Sequence, residues 1–399
     1  MLIFFLSTSA KSGWFQQSSG VSFNLHSVNF NHGNENHAWA CGDNGTILYT
    51  SNGGINWIMQ SSGTNNNLYA IVFMEIAKGP VFACGDNGII LRTSDNGNNW
   101  AVIESGVNVT LRDISDFNFI TVGDSGVILK SSDNGFNWNR IFSPVQKNLF
   151  AVSASFSAYI AGEDGTILRG FNQGTNWNLL TSGITNDLLG VPLFGNTDIA
   201  VGERGLILRS TNIGVTWYSQ NSMTVKNINS TEYSVNNTSR IYCAGDSGLI
   251  LKTTDSGNQW WFQNSGSSEN LNSIFFYLSD NTGYAVGNNG TILKTTDGGG
   301  VMTSIEENNL YADNYSLNQN YPNPFNPSTN IDYEIPVAGH VMIKIYNLNG
   351  KEVASLVNEM QNPGKHSITF NANRLPSGLY FLKFISGEFE QVKLMMFLK

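Results

Sequence analysis

The chain has 399 residues, length for two or three domains, and only 13% of them are charged, with 41 Gly and 9 Trp. That composition excludes a disordered or helix-dominated chain, which carries more Lys and Glu, and points to short strands joined by tight turns. The net charge of -9 is thinly spread with no basic run, so no nucleic acid partner is expected.

Residues 1–10, MLIFFLSTSA, hold an apolar core at Leu2–Leu6 followed by small residues ending in Ala10. They read as the remnant of a secretory signal peptide, with Lys11 near the mature N-terminus. No stretch approaches the ~20 apolar residues of a spanning helix.

From residue 11 to 303 the chain repeats itself. The motif G-[DEN]-x-G-x-I-L begins at Gly42, Gly85, Gly123, Gly162, Gly202, Gly245 and Gly287, with spacings of 43, 38, 39, 40, 43 and 42. Seven copies at this period predict a seven-bladed β-propeller with four short strands per blade. Asp43–Gly45 and Asp86–Gly88 supply the residues that accept positive φ in the turn between the second and third strands.

A second turn follows, of the form [ST]-x-D-x-G-x-[TN]-W. Thr93, Asp95, Gly97, Asn99 and Trp100 fit it, as do Ser131, Asp133, Gly135, Asn137 and Trp138, and Thr253, Asp255, Gly257 and Trp260 keep most of it. Asn52, Asn172 and Asn212 replace the Asp elsewhere, which suits a turn needing an acceptor for backbone N–H groups rather than a carboxylate for chemistry. This turn resembles the Asp-box, a fold marker shared with sialidases and their relatives.

Six of the motifs place a Trp fifteen residues after their opening Gly; the seventh has Met302 there, in a glycine-rich stretch unsuited to a strand. Trp14 stands alone near the N-terminus in GWFQQSSG, similar to QWWFQNSG, so an N-terminal strand is expected to complete the last blade and close the ring. Repeats and Asp-boxes together resemble the photosystem II stability and assembly factor family. That resemblance implies a protein-binding, non-catalytic propeller.

Composition shifts after Gly300: Glu306, Glu307 and Asp313 mark an acidic linker over 304–316, and six of nine prolines lie from Pro322 onward. Residues 317–399 predict a small Ig-like β-sandwich. The run Tyr321, Pro322, Asn323, Pro324, Phe325, Asn326, Pro327, the Asn349–Val353 hairpin, Ser377–Tyr380 with Gly378 and Tyr380, and Lys399 resemble the type A sorting domain of type IX secretion. The resemblance implies that the type IX machinery is a partner and that the chain passes through the periplasm of a Gram-negative bacterium to the outer surface or the medium; a monomer is expected.

For chemistry the sequence offers little. A sialidase needs three arginines converging on a carboxylate, a Tyr/Glu pair and a general acid. Arg92, Arg169 and Arg209 instead share one repeat position with Lys130, Lys252 and Lys294 and so read as structural. His26, His32 and His37 straddle the tip of the first hairpin without a zinc spacing. Cys41, Cys84 and Cys243 occupy positions that other repeats fill with Val or Ala and read as buried hydrophobes. No catalytic, cofactor-binding or metal residue is assigned.

A ring of acids, Asp43, Asp86, Asp124, Glu163, Glu203 and Asp246, falls in the turns between strands two and three, on the face of the loops that enter each blade. It is the candidate partner-binding rim, with Asn24, Asn65–Asn67, Asn108 and Asn186 adding neutral donors and acceptors. The function expected is an exported interaction propeller that binds a protein or polysaccharide; the alternative is a sialidase-like or xyloglucanase-like Asp-box hydrolase.

Overall fold

Each repeat folds into one four-stranded antiparallel sheet because two requirements recur in its backbone. The computed structural model describes residues 13–302 and 315–399, apart from 32–33, 75–78, 116, 155–157, 193–196, 235, 277–280, 336–338, 362–363, 374 and 388. The signal-like residues 1–10, His32 and linker residues 304–314 lie outside them. The first requirement is close approach: a Cβ on Gly42 would stand 2.0 Å from the Asn24 carbonyl oxygen, so the opening Gly lets the second strand pass the start of the first. The second is turn geometry. Asn44 and Gly45 both take positive φ, 54° and 68°, as do the matching pairs in the other six turns.

In blade 1 the strands are Leu25–Asn31, Asn34–Gly42, Ile47–Thr50 and Ile58–Gln60, innermost to outermost, and blades 2 to 6 follow the same order. Blade 7 takes three strands from residues 271–295 and its outer strand, Phe15–Gln17, from the N-terminus, with Phe15 opposite Lys294 and Gln17 opposite Ile292. The expected closure is therefore present, and it extends to the Asp-box. In blade 2 the Asp95 carboxylate accepts from the Asn99 amide, the residue before Trp100. In blade 7 the Asp297 carboxylate accepts, at 3.2 and 3.0 Å, from the amide of Gly13, the residue before Trp14. One turn is assembled from the two ends of the propeller.

Trp14 and its equivalents are wedges between blades. Trp57 meets Tyr284 of blade 7 edge-on at 5.7 Å, Trp138 meets Phe82 of blade 2 at 6.1 Å, and Trp217 meets Tyr159 of blade 4 at 6.3 Å. The closing strand joins both neighbours: the Trp14 indole donates to Gln263 Oε1, and Gln17 Oε1 accepts from the Trp57 indole. Cys41, Cys84 and Cys243 are free thiols within this packing; burial is the main force raising the Cys243 pKa to about 12.

The chain divides into two compact units, Met1–Ser304 and Ile305–Lys399. In the second, a three-stranded sheet (Ser316–Leu317, Ser328–Ile335, Gly364–Asn371) packs on a four-stranded one (Glu352–Gln361, Gly339–Asn347, Gly378–Ser386, Phe389–Phe397) around Tyr333, Ile343, Phe384 and Phe397. The expected linker runs slightly too far, because Ser316 already pairs with Glu334 and Tyr315 stacks on Phe389 at 5.1 Å. A half-buried aromatic side chain, Tyr315, marks the start of that fold.

Deleting residues 13–20 removes the bonds that Gly13 makes to Asp297, Trp14 to Gln263 and Gln17 to the Trp57 indole, and opens a strand edge. Calorimetry on that variant is expected to show a thermal midpoint lower by about 10 °C or more; an unchanged midpoint contradicts the closure.

Candidate functional site

The periodic polar residues turn out to be committed to the junctions between blades. Asn67 Oδ1 accepts from the amide of Asn44 in the preceding blade at 3.0 Å, and Asn148, Asp187, Asn227, Asn270 and Asn24 do the same for Ser125, Asp164, Arg204, Ser247 and Asn289. Asn24 and Asn67, read in the sequence as neutral groups for a partner, are thus staples. On the opposite face the cations of the third strand clasp the next blade's Asp-box turn. Arg209 Nε donates to the Ser256 carbonyl at 2.8 Å, Lys252 Nζ to Gly298 at 2.9 Å and Lys294 Nζ to Gly53 at 2.6 Å, while Arg92 lies 4.2 Å over Phe136. The Asp-box carboxylates serve their own turns. Asp95 accepts from the Asn99 side chain and amide and from Thr93, and these bonds hold its pKa down to about 2; Asp133 matches it. Asp255 accepts from Thr253, Asn258 and Gln259. Gly97, Gly135 and Gly257 carry the positive φ of these turns, and Trp100, Trp138 and Trp260 pack into the blade seams.

The six rim acids are placed where the sequence put them, half-buried on the face of the entering loops. Each accepts a hydrogen bond. Asp43 lies 2.6 Å from His26 Nε2, Asp86 accepts from the Thr110 hydroxyl at 3.1 Å, and Asp124 holds Arg112 through Nε and Nη2 at 2.9 and 3.1 Å. Glu163 and Glu203 accept from the amides of Asn148 and Asp187, and Asp246 from Asn229 Nδ2.

What does not repeat is the second residue of each inner strand. His26, Tyr69, Arg112, Phe150, Leu189, Asn229 and Asn272 stand side by side at the rim of a central cavity of about 300 Å³, lined by the inner strands of all seven blades. The repeating Leu or Ile just before each of them is fully buried, whereas these seven are half-exposed. They form three arcs. His26, Tyr69 and Arg112 stack in series, with ring centroids 5.1 Å apart and the guanidinium 5.1 Å over Tyr69. Phe150 and Leu189 make an apolar arc. Asn229 and Asn272 each donate two bonds through Nδ2, and their Oδ1 atoms, like Arg112 Nη1, have no partner among the described residues. Sequence reading passed over this ring because periodicity was its guide. The signal was the variable residue inside an otherwise repeating strand.

Two sequence expectations change. His26 and His37 lie toward opposite faces rather than at one hairpin tip, since His26 is at the cavity mouth and His37 bonds Tyr49 Oη at 2.5 Å near the other end of the sheet. An acid, a Tyr and a single Arg from non-equivalent positions do meet, Asp198 with Tyr159 and Arg169, short of the three arginines the sialidase alternative needs. They fill a packed seam rather than a cleft: Tyr159 is 6% exposed, and Trp217 and Gly214 close on it.

Two acids, Asp113 and Glu232, line the cavity below the mouth. Asp113 accepts from the amides of Ile114 and of Val152 in the next blade, both at 2.8 Å, where Ser27, Ser230 and Ser273 make the same bridge in their own blades. Protein atoms surround its carboxyl although part of the side chain reaches the cavity, and burial raises its pKa to about 7.

The sorting-type residues shape the second unit. Asn323 Oδ1 accepts from the Met396 amide and its Nδ2 donates to the Leu394 carbonyl; Phe325 exchanges backbone bonds with Met396 and Leu398. The Pro322–Pro327 segment therefore seals the outer edge of the last strand, Phe389–Phe397, and its three X-Pro bonds, including Asn326–Pro327, are cis. Gly378 opens the neighbouring strand, whose Tyr380 hydroxyl donates to the Pro376 carbonyl.

These features define an Asp-box β-propeller joined to a small β-sandwich. Residues 319–397 match the family described as secretion system C-terminal sorting domain, and residues 6–109 and 216–296 match the photosynthesis system II assembly factor YCF48. Among solved structures, YCF48 bound to D1 peptide is similar at 19% identity and a TM-score of 0.60, covering 73% of this chain and 99% of that one. YCF48 from Cyanidioschyzon merolae is similar at 18% identity and a TM-score of 0.57, covering 71% and 99%. No curated protein matches. The first unit is thus similar to YCF48 propellers and the second to secretion sorting domains.

Asp113 makes stability depend on pH. Its pKa is raised on folding from the model-peptide range, so its contribution is complete below about pH 4 and is lost as pH climbs through about 7. Asp113→Ser, which copies the bridge of Ser27, is expected to reduce by about 4 °C the fall in thermal midpoint between pH 5 and pH 8. An identical fall in both proteins contradicts this assignment.

Proposed function

We propose that this chain is an exported, non-catalytic interaction propeller that holds an extended peptide segment of another protein at the mouth of its central cavity. The observation that carries the reading is the ring of seven non-repeating residues, set on a scaffold whose repeating polar groups are already bonded to neighbouring blades. Arg112 Nη1 offers a donor to a peptide carbonyl, the Asn229 and Asn272 Oδ1 atoms offer acceptors to peptide amides, and Phe150 with Leu189 offers an apolar seat for one side chain. A similar structure holds a peptide, that of YCF48 with D1 peptide, which supports a peptide over a polysaccharide.

The six rim acids act behind this ring. They orient His26, Arg112 and Asn229 through direct bonds, and they surround the opening with negative charge that Arg112 and the nearby Lys147 only partly offset. A basic segment is steered toward such an opening, and the steering weakens as salt rises. The C-terminal unit delivers the propeller through the type IX machinery to the cell surface or the medium.

A peptide array drawn from envelope proteins, run beside a glycan array, tests the binding reading. Phe150→Ala with Arg112→Ala is expected to weaken the selected peptides about tenfold or more with an unchanged thermal midpoint. Unchanged peptide binding, or binding to glycans alone, sinks it. Asp86→Asn with Asp246→Asn is expected to keep the contacts but flatten the salt dependence of the association rate. For export, a chain ending at Ser316 is expected to fold and stay in the periplasm of a type IX-competent host; its appearance outside at normal levels contradicts the sorting role.

A further inference from the structure

An antiparallel strand with one face on a core places polar residues on its other face. The strand Phe389–Phe397 breaks that rule. Met395 and Phe397 are fully buried, yet Val392, Leu394 and Met396 between and before them are 46%, 46% and 39% exposed. The neighbouring strand sets Phe381 opposite Leu394, Leu379 opposite Met396 and Lys383 opposite Val392, so these apolar side chains lie together on the face turned away from the core. Tyr321, 80% exposed, and the exposed Pro322 and Pro324 border the same strand, because Asn323 and Phe325 bind its edge. A contiguous apolar surface of this kind marks an interaction site.

We infer that this face, centred on Phe381, Leu394 and Met396, is the surface by which the folded C-terminal unit docks on a protein receptor of the export machinery. The inference rests on the export reading above. The patch lies within residues 319–397, which match the sorting domain, so the partner it serves is the one that receives the signal. A second copy adding a strand is disfavoured because the edge is already sealed by Gln319, Asn323 and Phe325. An anionic lipid surface is disfavoured because the cations on this face are spent: Lys383 pairs with Glu390 at 2.8 Å and Lys344 with Glu352 at 2.9 Å. A receptor that fits is apolar along a ridge one or two strands wide.

The test is export of the full chain in a type IX-competent host. Leu394→Thr with Met396→Thr keeps strand propensity and alters only exposed side chains; it is expected to cut the exported amount about tenfold or more with the thermal midpoint unchanged. Leu394→Ile with Met396→Leu is expected to be exported normally. If the threonine pair lowers the midpoint, Phe381→Ser, on the adjoining strand, decides in its place. Normal export of the threonine pair or of Phe381→Ser overturns the inference. So does a wild-type dimer in gel filtration that the threonine pair dissolves without loss of export, or wild-type binding to anionic vesicles that the pair abolishes with export intact. The chain ending at Ser316 keeps the two readings apart: its retention together with normal export of the face variants removes this surface and leaves the sorting role standing.

Discussion

Everything in the propeller depends on the hydrogen-bonded junction between one blade and the next. A sheet of four short strands cannot bury both faces alone, so each blade is stable only between two others and the ring must have no end. The chain meets this with polar contacts on both faces of most seams and an aromatic wedge between them. Staples such as Asn67 to Asn44 work on the entering-loop side, clasps such as Lys294 to Gly53 on the Asp-box side, and Trp57 against Tyr284 in the middle. The closing blade obeys the same rules with residues from opposite ends of the sequence. Asp297 and Gly13 rebuild an Asp-box that neither end contains whole.

That constraint explains why so much of the fold was legible in the sequence and so little of the site. Repeats copy whatever every junction needs. Gly42 recurs because a Cβ would strike the Asn24 carbonyl, and Trp14 is recognisable as the missing seventh Trp because each seam needs a wedge. The same logic hides function. The rim acids are periodic, and the periodicity drew attention to them, yet each is bonded within the ring. The mouth residues differ from blade to blade, so no period reveals them, and only the inner-strand geometry brings His26, Tyr69 and Arg112 into one stack. The structural bond of Asn24 to the Asn289 amide spans the closed ring and has no trace in local sequence.

The C-terminal unit shows a second use of the same physics. A last strand is an exposed edge, and the Pro-Asn-Pro-Phe segment covers it with one side chain and one backbone pairing, which ties a sequence motif to a physical task. With the edge closed, the apolar face beside it is left as a surface feature of a folded domain rather than as a loose peptide. The two units each have their own core, and under the proposed function export and binding fall to separate ones.

The central claim is that ligand binding belongs to the non-repeating ring at the cavity mouth, while the repeating polar residues hold the blades together. A crystal structure of the full chain with an array-selected peptide tests it most directly. The account predicts the peptide at the mouth, with a carbonyl within hydrogen-bond distance of Arg112 and a side chain against Phe150 and Leu189. A peptide seated on the Asp-box turns, with the mouth vacant, contradicts it.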